Sequence, residues 1–137
     1  MNFLTEDDFT AYQVRAEVLS VLTISGTTLD AAQLTAQEQM SAYLRARYDV
    51  VSIFATTGAD RNPLVVMYMI DMILYHLHSN TPNRVMPKAR EDRFNAAIAW
   101  LTGVNQDTLI PDLPVLATNT PDPVYRFGSD YPTRQRW

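Results

Sequence analysis

The residues of this chain that could do chemistry are a histidine pair, one acid inside an apolar run, and two arginine-rich stretches. His76 and His78 are the only histidines among 137 residues. Both fall near the end of a helical pattern, where two residues of separation means about 200° of rotation, so they cannot face one metal ion. An H-E-x-x-H arrangement, which would share a face and bind zinc, is not present. Capping or interface contact remains for them, and a helix C-terminus favours the protonated imidazole. Asp71 stands in the middle of the apolar run from Leu64 to Leu77. A carboxylate buried there needs a partner or a shifted pKa. It could serve as a general acid, but no second carboxylate or histidine lies at a spacing that completes a catalytic set. The reading preferred here is a structural ion pair with Arg45 or Arg47 of the preceding helix.

Other chemistries fail for want of parts. The chain has no cysteine, which removes disulfides, thiolate catalysis and cysteine-ligated metals. There is no Gly-rich phosphate loop, and Lys88 is the only lysine, the other ten basic residues being arginine. No G-x-S-x-G elbow occurs. The expectation is therefore a non-enzymatic protein with no cofactor and no metal. Arg84, Lys88, Arg90 and Arg93 form a basic run, read as a solvated face paired with Glu91 and Asp92 in preference to a DNA contact. Arg134-Gln135-Arg136-Trp137 is a second basic patch, with an aromatic that suits a protein interface. The formal net charge of −4 argues against free nucleic-acid binding, which favours a basic domain. A small DNA-binding regulator would require steep salt-dependent affinity for DNA.

Helices must position these residues. The hydrophobic fraction of 47% and charged fraction of 19% suit one globular domain. A first helix is expected from Thr5, whose hydroxyl could cap the amides of Asp7 and Asp8, to Ser25-Gly26. Glu6-Asp7-Asp8 sit at the positive end of its dipole. A second runs from about Leu29 to Tyr48, with Leu34, Met40, Tyr43, Leu44 and Arg47 near helical spacing. Val50 to Phe54 form a short turn or helix. Asn62 and Pro63 are the cap and first residue of a third helix, apolar all round from Leu64 to Leu77 and so central in its bundle. The fourth spans Pro87 to Leu101, with Phe94, Ala97, Ile98 and Leu101 inward, and stops at Gly103. All four glycines are read as breaks between elements. The fold class is all-α, a compact bundle of about four helices over residues 1–103.

Residues 104–137 form an extended C-terminal arm. Five of the eight prolines lie at or beyond Pro111, a density that blocks helix and central strand alike. Tyr125, Arg126, Phe127, Tyr131, Arg134, Arg136 and Trp137 are more aromatic and basic than a solvating tail needs. An arm that docks on a neighbour fits both facts, and the competing reading is an arm folded back on its own domain. The acidic Met1–Asp8 stretch lacks the basic start and apolar run of a signal peptide. The run Leu64–Leu77 is too short and too interrupted for a membrane span of about 20 residues.

The motifs taken in order carry a resemblance. Phe3-Leu4-Thr5-Glu6-Asp7-Asp8-Phe9 is followed by Tyr43-Leu44-Arg45-Ala46-Arg47-Tyr48-Asp49-Val50. Arg61-Asn62-Pro63 then leads into Asp71-Met72-Ile73-Leu74-Tyr75-His76-Leu77, and Arg90 to Trp100 into Leu101-Thr102-Gly103-Val104 and Ile110-Pro111-Asp112-Leu113-Pro114. From Phe3 to about Pro114, and loosely to Phe127-Gly128-Ser129, this pattern resembles the Mu-like phage head–tail connector family, long listed as a domain of unknown function. That family is similar in turn to the helical adaptors beneath the portal of long-tailed phages. The resemblance implies a structural subunit in a ring of twelve copies to match the portal, bridging portal protein to the next neck or tail protein. It implies a place in the virion neck after synthesis in the bacterial host cytoplasm, possible proximity to packaged DNA, and no membrane partner. A tail-terminator or head-completion stopper of the same neck is the alternative. Such folds usually carry substantial β-structure.

Overall fold

The computed structural model describes residues 3–12, 26–79 and 86–116. Among these lie five α-helices: α1 (Glu6–Ala11), α2 (Gly26–Leu44), α3 (Val50–Ala55), α4 (Pro63–Ser79) and α5 (Lys88–Asn105). A 3-10 turn at Gly58–Asp60 separates α3 from α4, and no strand is present among the described residues beyond an isolated antiparallel bridge of Tyr48 with Val115. The protein is all-α, as its patterning indicates.

Helix α4 is the axis. Val65, Val66, Met69, Ile70, Met72, Ile73, Leu74 and Leu77 are all buried. Asn62 starts the helix as expected, its Oδ1 accepting from the backbone N–H of Leu64 at 2.9 Å and of Val65 at 3.3 Å. Helices α2 and α5 pack on α4 and on each other. The seam with α5 is antiparallel: Tyr68 faces Trp100 with ring centroids 5.1 Å apart, and Tyr75 stacks on Phe94 at 3.9 Å. Stacked and tilted rings of this kind add about 0.5–1.5 kcal/mol each beyond the area they bury.

The inward face of α2 keeps Met40 and Leu44 of the expected stripe and differs at its start. Ala32, Ala36, Met40 and Leu44, one turn apart in sequence, are the buried apolar residues, with Gln33 and Ser41 buried beside them, whereas Leu34 is 59% exposed. The buried face thus pairs small Ala32 and Ala36 in its first half with bulky Met40 and Leu44 in its second.

Other boundaries move as well. Helix α1 is described as Glu6–Ala11, the rest of the expected first helix lying outside the described residues. Helix α2 runs from Gly26 to Leu44 where Leu29 to Tyr48 was expected, so Gly26 lies within a helix. Pro87 is the residue before α5, its carbonyl accepting from the N–H groups of Arg90 at 3.0 Å and Glu91 at 3.1 Å. Gly103 does not stop α5, which runs on to Asn105. Asp107, not a glycine, takes the left-handed turn with φ 65°, a conformation Asp tolerates better than most residues. Gly103 instead leaves room beside the last turn. A Cβ there would lie 2.8 Å from Leu109 Cδ1 and 3.1 Å from Thr108 Oγ1. The chain reverses tightly over the last turn, and the N–H groups of Thr108 and Leu109 both donate to the Gly103 carbonyl, at 2.9 and 3.2 Å.

Candidate interaction surface

Three local constructions fix the functional geometry. The first is an N-terminal clasp. Phe3, Leu4 and Phe9 are buried, so the start of the chain is part of the core. Arg61, just before α4, holds it. Its Nη1 donates to Asp8 Oδ2 at 2.7 Å and to the Phe3 carbonyl at 2.7 Å, its Nη2 to Asp8 Oδ1 at 2.8 Å, and its Nε to the Gly58 carbonyl at 2.9 Å. The two side chains are only 14% and 13% exposed. The Asp8 carboxylate also accepts from the Thr5 backbone N–H at 2.7 Å and from the Thr5 hydroxyl at 3.1 Å. Thus the Thr5 hydroxyl turns to the acid, and the reach-back of Asp8 to the cap residue's N–H does the capping. The Arg61 hydrogen bonds, outweighing the opposing effect of burial, hold the Asp8 carboxyl below its usual range.

The second is the buried acid. Asp71 has a side chain only 7% exposed, and its Oδ1 lies 3.6 Å from Nη1 of both Arg90 and Arg93. The partners therefore come from α5, not from the residues expected. Arg45 pairs with Glu38 at 2.9 Å and Arg47 with Asp107 at 2.9 Å, both on the surface. Burial pushes the Asp71 carboxyl up, against the pull of Arg93 and then Arg90. The basic run is likewise split: Lys88 pairs with Asp92 at 3.2 Å as a solvated pair, while Arg90 and Arg93 turn toward Asp71. Arg84 lies outside the described residues.

His76 Nε2 lies 3.1 Å from Gln39 Oε1, and its ring meets Phe94 edge-on with centroids 5.9 Å apart. Burial lowers its pKa, so the neutral ring is favoured where the helix-end argument pointed to imidazolium. Its contact is to α2 and α5, within the bundle. Among the described residues, no group of three or more His, Cys, Asp or Glu could hold a metal ion, and no helix is long and apolar enough to cross a membrane.

The third construction is the segment 106–116. It folds back along the bundle: the Asp49 N–H donates to the Pro114 carbonyl at 2.9 Å and the Leu116 N–H to the Arg47 carbonyl at 3.0 Å. Asn62 Nδ2 donates to the Asp112 carbonyl at 3.1 Å, and Asn105 Nδ2 to the Tyr43 carbonyl at 3.1 Å. Only Leu113 is buried, at 9% exposure. The segment thereby presents Leu109, Ile110, Val115 and Leu116 to solvent, Ile110 at 83% and Val115 at 70%. Asp49 itself caps α3, its carboxylate accepting from the Ser52 hydroxyl at 2.7 Å and the Ser52 N–H at 3.2 Å. The first part of the arm is thus seated on its own domain. Tyr125, Arg126, Phe127, Tyr131, Arg134, Arg136 and Trp137, expected to carry docking, lie outside the described residues. The outward aliphatics of 109–116 were not singled out from sequence. Prolines between isolated hydrophobes were their only signal.

Comparison of the chain with family models, curated proteins and solved structures found no match.

Proposed function

We propose that this chain is a structural, non-catalytic head–tail connector of a tailed phage, with copies of itself forming a ring between the portal protein and the next neck or tail protein in the virion. The ordered motifs from Phe3 to Pro114 and the all-helical bundle support the reading. The observation that carries it is the segment Leu109–Leu116. Backbone hydrogen bonds hold it against the bundle through a bend at Asp112, with one buried anchor, Leu113, and exposed aliphatic side chains on either side of it. A free monomer gains nothing by holding Ile110 and Val115 in water. A subunit that lives in an assembly gains a pre-ordered contact surface, which lowers the entropy cost of docking.

The test is a phage genome lacking this gene. The expected particles are DNA-containing or emptied heads and separate, complete tails, and supplying the chain from a plasmid restores joined virions. Supplying Ile110→Ser/Val115→Ser, with its helical circular dichroism spectrum unchanged, restores few. Joined, infectious particles from the deleted genome would remove the reading.

A further inference from the structure

Arg90 and Arg93 are underused where they stand. Each guanidinium carries five N–H donors. Yet the nearest Asp71 oxygen is 3.6 Å from each, at the outer edge of hydrogen-bond reach, so Asp71 engages each guanidinium only weakly. The Arg90 side chain is 23% exposed, and its Nε is buried with no hydrogen-bond partner. Arg93 is 60% exposed and opens the cluster to solvent. Two cations around one carboxylate leave one positive charge in excess, and Arg93 presents it to solvent.

We infer that Arg90 and Arg93 form a receptor for a single carboxylate presented by a partner polypeptide, with Asp71 as the internal counter-ion against which the incoming carboxylate competes. A carboxylate matches the planar fork of arginine and accepts from it in pairs. A nucleic-acid backbone is the poorer match. Glu91 and Asp92 are exposed between the two arginines in sequence, Lys88 is already paired with Asp92, and the chain is acidic overall. A row of phosphates meets these acids, whereas one carboxylate meets only the arginines. The inference does not rest on the connector reading.

The experiment titrates the full chain, at fixed ionic strength, with a capped hexapeptide carrying one glutamate among glycines and serines, and follows the arginine Nε–H resonances by NMR. Saturable movement of the Arg90 and Arg93 signals is expected, with none on adding the same peptide with glutamine in place of the glutamate. Arg93→Gln, at a solvent-facing position, weakens binding by roughly tenfold or more, since a charge-assisted hydrogen-bonded pair is lost. Asp71→Asn strengthens it by removing the competing internal carboxylate. Arg90→Lys weakens it while keeping the charge, and covers the case in which the Asp71 variant does not fold. Equal affinity of the original chain and Arg93→Gln would overturn the inference, as would weaker binding by a folded Asp71→Asn. Arg93-dependent binding of duplex DNA in preference to the peptide would overturn the choice of carboxylate.

Discussion

Replacing Arg61 by alanine should be among the most damaging changes available outside the apolar core. The side chain makes two hydrogen bonds to the Asp8 carboxylate, at 2.7 and 2.8 Å, and two more to the carbonyls of Phe3 and Gly58. Removing one partner of a buried ion pair costs about 3–5 kcal/mol. Here the pair is 14% and 13% exposed, and Thr5 still donates to Asp8, so water and Thr5 recover part of the loss. About 3 kcal/mol is the resulting expectation, which at this chain length lowers Tm by about 10 °C. Urea unfolding of the original chain, Arg61→Ala, Asp8→Ala and the double variant gives the coupling directly. A coupling of about 2 kcal/mol is expected. A value below about 0.5 kcal/mol, the range of exposed pairs, would refute the argument. The pH dependence supplies a second reading. Asp8 has its folded pKa below the unfolded value of about 3.9, so its stabilisation is complete above that value and is lost as pH falls through the folded one. Asp71, with its pKa raised, contributes with the opposite sign: its stabilisation is present at low pH and lost as pH rises through the folded value. Arg61→Ala should therefore flatten the acid limb that belongs to Asp8 and leave that of Asp71.

Gly103→Ala should change stability by less than about 1 kcal/mol, because the gain in helix propensity offsets the displacement of the exposed Leu109 tip. Gly103→Val, which cannot be accommodated so cheaply, should cost about 1–3 kcal/mol in urea unfolding. Leu113→Ala should release segment 106–116 before the bundle unfolds, seen as faster hydrogen exchange at the Asp49 and Leu116 amides while those of α4 stay protected. His76 has its folded pKa lowered by burial. Its stabilisation is complete above the unfolded value of about 6.5 and fades as pH falls below it. His76→Gln should flatten the fall in thermal stability below about pH 6.5, and an unchanged slope would refute the burial of the neutral ring.

Helix positions were legible where a local rule decides them. Asn62-Pro63 and the unbroken apolar run after it specify the start and the central place of α4, because capping and burial on most sides both act within a few residues. Rules of thumb failed where a distant contact decides. Gly103 reads as a helix stop, yet the structure uses its missing side chain to let Leu109 close over the helix. Leu34 reads as core, yet the rotation of α2 on the bundle buries Ala32 and Ala36 and leaves Leu34 outside. Alanine is a weak hydrophobic signal in sequence, so that rotation was not legible from it.

Asp71 shows the same division at the candidate site. Its placement in an apolar helix identifies it as a buried acid that must find a cation, and that much follows from the cost of burying charge. Which cation it finds depends on how α4 is rotated between α2 and α5, and no spacing within one helix encodes that rotation. Arg45 and Arg47 were the nearer candidates in the α2 region, but they lie at its exposed end and pair with Glu38 and Asp107. The antiparallel seam fixed by Tyr68 with Trp100 and Tyr75 with Phe94 brings α5 alongside instead. Arginine side chains are long enough to reach Asp71 from the turns just before Phe94, and Arg90 and Arg93 occupy them. The aromatic pairs thus decide the partner of the acid. Moving the seam by one helical turn would leave Asp71 buried and unpaired, a cost of several kcal/mol that the register of α4 on α5 avoids.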